Sequence, residues 1–152
     1  MKKYLVGILL IFMSIASQAQ EINPAYDATL ATSLGGDEHG MKSYFLVILK
    51  TGKKEIKDAK KKAEIFKGHM DNIQQMVADK KLVVAGPFGK NDIKYRGIFI
   101  LDVSTESEAR MLVERDPVVQ SKLMTYDILP WYGSAALSKY LPYSEKIWKT
   151  KP

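Results

Sequence analysis

The sequence predicts an α+β fold. It is a ferredoxin-like antiparallel sheet built in the order β-α-β-β-α-β, doubled into a dimeric α+β barrel by a second copy of the chain. Three observations predict it. Apolar runs at 44–49, 82–85, 97–103 and 121–131 have the length of strands and are separated by turn or helix signals. A long segment with apolar residues three and four apart, from about 56 or 58 to 80, lies between the first two runs, and a second helical segment opens at Thr105 between the last two. Right-handed crossovers then order the strands 4-1-3-2.

The run Tyr44-Phe45-Leu46-Val47-Ile48-Leu49 is apolar without alternation, as in a strand covered on both faces, and Thr51-Gly52 ends it. In the helix that follows, Ala59, Ala63, Phe66, Met70, Ile73 and Val77 form one core-facing stripe, and Ile65, His69 and Met76 a second, flanking one. Gly68 removes a side chain beside His69 at a helix cost of about 1 kcal/mol, which suits a close approach by another element and equally suits loose packing. Leu82-Val83-Val84-Ala85 is stopped by Gly86-Pro87, and the turn Gly89-Lys90-Asn91-Asp92 leads into the third strand as a hairpin. Thr105-Glu106-Ser107-Glu108 has the pattern of a capping box, so a helix starts there, with Ala109, Leu112 and Val113 on its buried side. Asp116-Pro117 ends it, which leaves the Asp116 carboxylate at a helix C-terminus that the dipole disfavours. A short helix is expected within 132–141, and the basic tail from Lys146 is expected to fray.

Two helices cover one face of such a sheet. The strands are apolar on both, so a partner is expected on the other, and the economical one is a second copy: a homodimer.

The ends of the chain divide it further. Lys2-Lys3, the apolar run 4–15 and Ser17-Gln18-Ala19 form a secretory signal peptide over 1–19, so the mature protein is expected to be periplasmic or secreted, with no membrane span once the signal is removed. Residues 20–43, with Pro24 and Gly35-Gly36, form a flexible arm; 44–132 is the folded domain; 133–152 is a C-terminal extension. The chain has no cysteine, which excludes disulfides, thiol nucleophiles and thiolate metal sites. Its net charge is +6, or +4 without Lys2 and Lys3, and residues 50–67 carry +5, with eight lysines against three acids. That segment is a solvated helix face or a surface for small anions; export argues against nucleic acid. Asp37-Glu38-His39 is too compact to surround a metal ion, and no phosphate loop, His-Glu-x-x-His or Gly-x-Ser-x-Gly pattern occurs. No metal and no cofactor is expected.

His69 is the only histidine in the expected domain. Gly68-His69-Met70, then Gln74 through Lys80-Lys81-Leu82-Val83-Val84-Ala85-Gly86-Pro87-Phe88, resembles the YCII-related family, in which a His-Met or His-Leu on the first helix precedes a Gly-x-Leu-x-x-Ala-Gly-Pro strand. Lys81 here stands where the family has a small or charged residue. Residues 104–109, Asp116-Pro117 and the closing Pro130-Trp131 fit the second half, so the resemblance spans roughly 44–132. It implies a dimeric α+β barrel, a pocket between sheet and helices, and a His–Asp pair that carries over to His69 and Asp116. Where such proteins are active, the chemistry is of the lyase or dehydrohalogenase kind.

A carboxylate that orients a histidine makes a general base needing no cofactor. The first expectation is therefore an exported small-molecule enzyme, a lyase or hydrolase, with His69 and Asp116 catalytic and Gly86, Pro87 and Trp131 lining the substrate pocket. The alternative is a small-ligand-binding or protein-interaction dimer on the same scaffold. In it His69 is a packed core histidine and Asp116 a helix-ending residue.

Overall fold

The computed structural model describes residues 23–150; the expected signal peptide lies outside them. The elements are helix α1 (Ala28–Leu34), strand β1 (Met41–Thr51), helix α2 (Ala59–Ala78), strands β2 (Leu82–Pro87) and β3 (Tyr95–Leu101), helix α3 (Glu106–Glu114), the single-turn helix α4 (Pro117–Gln120), strand β4 (Met124–Ser134), a 3-10 helix (Ala135–Tyr140) and helix α5 (Leu141–Ile147). The sheet is antiparallel throughout, in the order β2-β3-β1-β4. That is the expected ferredoxin-like arrangement.

Register fixes the two faces. Val47 pairs with Phe99 on one side and with Ile128 on the other, and Phe99 pairs with Ala85. Side chains alternate along a strand, so Phe45, Val47, Leu49, Phe99, Leu101, Tyr126 and Ile128 share the face under α2 and α3. Met76 of α2 and Ala109, Leu112 and Val113 of α3 close that core. Asp58 caps α2 by accepting from the N–H groups of Lys60 and Lys61, and Thr105 caps α3 by accepting from Glu108 N–H.

Several expectations change. The chain continues past Asp116-Pro117 as α4, because proline tolerates the first helical position, where no N–H is needed. β4 therefore starts at Met124, three residues later than expected. β2 runs through Gly86-Pro87; it is an edge strand, and a proline at its end removes no ladder donor. In α2 Met76 of the flanking stripe is fully buried, and Ile73 and Val77 of the expected core stripe pack against the core beside it. Ala59, Ala63 and Phe66 of the expected core stripe are exposed, as are Ala85 and Pro87 at the end of β2.

The second face is not wholly open. Tyr44, Val83 and Ile100 are buried on it, with Leu46, Val84, Trp131 and Leu137 packed around them. Leu137 comes from the 3-10 helix, and the Tyr140 hydroxyl donates to Val83 C=O at 2.5 Å. The chain's own C-terminal extension thus covers part of the face assigned to a second copy. Leu129, 46% exposed, marks the part it leaves.

Candidate functional site

Gly68 decides how closely α2 and α4 approach. A Cβ there would stand 2.9 Å from Pro117 Cγ, inside van der Waals contact. With no side chain in the way, the α3–α4 corner sits directly against α2, and its first residue reaches His69.

Asp116 is wholly buried. It follows the end of α3, as expected, and it also faces the favourable N-terminus of a second helix. It stands between α3 and α4 as the cap of α4, with φ −70° and ψ 127°. Its Oδ1 accepts from Val118 N–H at 3.0 Å, and its Oδ2 accepts from His69 Nδ1 at 2.8 Å and from Asn72 Nδ2 at 3.1 Å. Three donors on two oxygens are what a buried carboxylate requires. Asn72 is held in turn by Arg115, whose Nε donates to its Oδ1 at 3.0 Å. That bond fixes which end of the Asn72 amide faces the carboxylate.

The hydrogen bond to Asp116 sets the proton on Nδ1 of His69. Nε2 is left as the acceptor, and no described residue bonds to it. The ring retains 12% side-chain exposure. It stacks on Phe99, with centroids 6.0 Å apart at 29°, and meets Phe66 edge-on at 6.3 Å and 88°. The arrangement is an imidazole held through Nδ1 by a carboxylate, with Nε2 turned away from it beside aromatic walls. Such a group accepts a proton, and the carboxylate behind it stabilises the resulting imidazolium.

Other residues singled out in the sequence fall in different places. Pro87 lies on the His69 face, two positions beyond Ala85, the Phe99 partner; both are exposed, so this edge of the sheet is open beside the histidine. Gly86, between them, belongs to the other face. Trp131 is also on the other face, since it pairs with Tyr44. Its ring packs on Tyr44 at 5.7 Å and lies over Gly133, where a Cβ would collide with it at 2.2 Å. Trp131 lines a separate cavity of about 540 Å3 with Lys42, Tyr44, Lys81, Asp102 and Ser104, at the end of the sheet where β1 begins and β3 finishes. Asn72 was not identified from the sequence. Asn72 is three residues from His69 on the same side of α2, and that spacing was its signal.

Asp37 is occupied structurally: it accepts from Tyr132 and from the N–H groups of His39 and Met41, and the phenol holds its carboxyl below the usual range. Among the described residues, no group of three or more His, Cys, Asp or Glu side chains stands close enough to hold a metal ion, and no helix is long and apolar enough to cross a membrane.

The model of the YCII-related domain matches residues 44–132. The chain belongs to the YCII-related family. The matched stretch of this YCII-related protein runs from within β1 to within β4 and contains every residue of the His69 network. Among solved structures it is similar to the 5-chloro-2-hydroxyhydroquinone dehydrochlorinase TftG of Burkholderia phenoliruptrix AC1100, in complex with 2,5-dihydroxybenzoquinone, at 21% identity and a TM-score of 0.42, over 58% of this chain and 92% of that one. No curated protein matches the chain.

Proposed function

We propose that this protein is a small-molecule enzyme that works by proton transfer without a cofactor, of the lyase or hydrolase kind. His69 Nε2 is the general base and Asp116 the residue that orients it. In an elimination, Nε2 takes a proton from substrate carbon, the C–H electron pair becomes the new double bond, and the leaving group departs with its own pair. In a hydrolysis, Nε2 takes the proton of an attacking water instead. Either way the Asp116 carboxylate stabilises the imidazolium. The same reading has the chain exported after loss of residues 1–19, and paired with a second copy through the part of the sheet's second face around Leu129.

The observation that carries the reading is the part-buried 2.8 Å bond from His69 Nδ1 to Asp116, which leaves Nε2 as the open nitrogen. The test is turnover of a panel of esters, lactones and halo-acids by wild type, His69→Ala and Asp116→Asn. On any substrate turned over, both variants are expected to lose on the order of 100- to 10,000-fold in kcat. A folded His69→Ala protein with undiminished kcat overturns the proposal.

A further inference from the structure

The folding of the chain collects a group of its lysines at one end. Thr51 N–H bonds to Lys94 C=O at 3.0 Å, Gly52 N–H to Leu123 C=O at 2.8 Å, and Lys54 N–H to Lys122 C=O at 3.1 Å. These bonds bring three segments together: the loop 52–58 leading into α2, the β2–β3 turn, and the start of β4. Six lysines between 53 and 62, with Lys90, Lys94 and Lys122, therefore share one pole, against Glu55, Asp58 and Asp92. The ion pairs among the described residues use none of these lysines.

The His69 face opens toward that pole. α2 ends beside the start of β2, where Lys81 N–H bonds to Met76 C=O, so its N-terminal half runs back toward the end of β2. Ala63, Phe66, Ala85 and Pro87 are all exposed along this margin. At 100° per residue Lys62 lies within 20° of His69 on the helix surface and about 10 Å nearer the N-terminus, with Phe66 between them. An open apolar margin with a proton acceptor at one end and an unpaired ammonium at the other matches a planar molecule with a charged substituent.

We propose that the substrate is a small aromatic carboxylate. Its ring lies against Phe66 and Pro87 beside His69, and Lys62 holds its carboxylate, the pole drawing it in. This rests on the acid–base reading of His69, and it adds the substrate's class and a residue that determines specificity.

The test uses the two histidines of the chain, His69 and the exposed His39. Their ring Cε1–H resonances are followed by NMR as benzoate or its neutral counterpart benzamide is added to the whole protein. Benzoate is expected to shift the His69 resonance saturably and leave His39 in place, while benzamide binds at least about tenfold more weakly. Lys62→Gln is expected to weaken benzoate about tenfold, and Lys60→Gln, on the opposite side of α2, to leave it unchanged. Added salt weakens the wild-type response. Equal binding of benzoate and benzamide overturns the proposal, as does an equal loss in Lys62→Gln and Lys60→Gln, which would make the pole a diffuse attractor. The readout is binding, so it separates the two ideas. Lys62-dependent benzoate binding in a protein without His69-dependent turnover removes the acid–base reading alone. His69-dependent turnover of neutral compounds with no benzoate response removes the carboxylate alone.

Discussion

Gly68 and Pro117 are in contact, and their contact sets the distance between His69 and Asp116. Glycine in mid-helix costs about 1 kcal/mol relative to alanine, yet here the space left by its missing Cβ is filled by the proline ring. The ring starts α4, whose capping residue is Asp116. The glycine, the proline and the acid–base pair are one local arrangement.

Gly68→Ala is therefore expected to destabilise despite the better helix former. Crowding a rigid ring costs about 1–3 kcal/mol, which outweighs the gain of about 1 kcal/mol in propensity. The net loss, up to about 2 kcal/mol, is read as a lower denaturant midpoint. It is accompanied by a change in the His69 ring signals, because α4 must move and carry Asp116 with it. Adding Pro117→Ala reopens the space, so the double variant is expected to recover stability relative to Gly68→Ala alone. A Gly68→Ala protein more stable than wild type, with His69 signals unmoved, counts against the packing argument.

Much of this was legible in the sequence, and what was not has identifiable causes. Strand order followed from crossover handedness, and His69 and Asp116 from the family resemblance. Asn72 was within reach of the same helical periodicity but carries no charge to draw attention. α4 was hidden because Asp-Pro is both a helix stop and a helix start: the aspartate leaves the helical region while its side chain caps the next turn. Trp131, expected to line the pocket with Pro87, lies on the other face of the sheet, because one residue of register exchanges the faces of a strand and register is a property of the pairing partner. The alanines and Phe66 at the start of α2 have core spacing without burial, because β2 is an edge strand with no further strand beside it among the described residues.

The Lys81–Glu108 pair, at 2.7 Å, ties the start of β2 to the first turn of α3. The Lys81 ammonium holds the Glu108 carboxyl below the usual glutamate range, and Glu108 in turn raises Lys81. A depressed carboxyl contributes stability that is fully present above its unfolded value and is lost as pH falls through the folded one. Glu108→Gln is expected to be modestly less stable than wild type at neutral pH, the side chains being partly solvated. The difference should close in acid below the ordinary glutamate range, and shrink in molar salt. Thermal melts of both proteins between about pH 2 and 8 check this. A gap that persists unchanged at the acid end would mean that Glu108 acts by something other than its charge.

The second face of the sheet makes the last prediction. Leu137 and Tyr140 cover Val83 and its neighbours, while Leu129, opposite Leu46 on β1, remains exposed, with the 2.6 Å Lys50–Asp127 ion pair nearby on the same face. A patch of this kind beside a polar margin is what a self-complementary interface buries. In a two-fold pairing, Leu129→Lys places a charge from each copy at the joint and desolvates both. Light scattering at micromolar concentration is expected to show a dimer for wild type and a monomer for Leu129→Lys, with equal circular dichroism. The substitution is on the face away from His69, so the bond between His69 and Asp116 should survive it, and the His69 ring signals should match in the two proteins. A monomeric wild type would show that the C-terminal extension, which already covers part of the face, has replaced the second copy rather than left room for it.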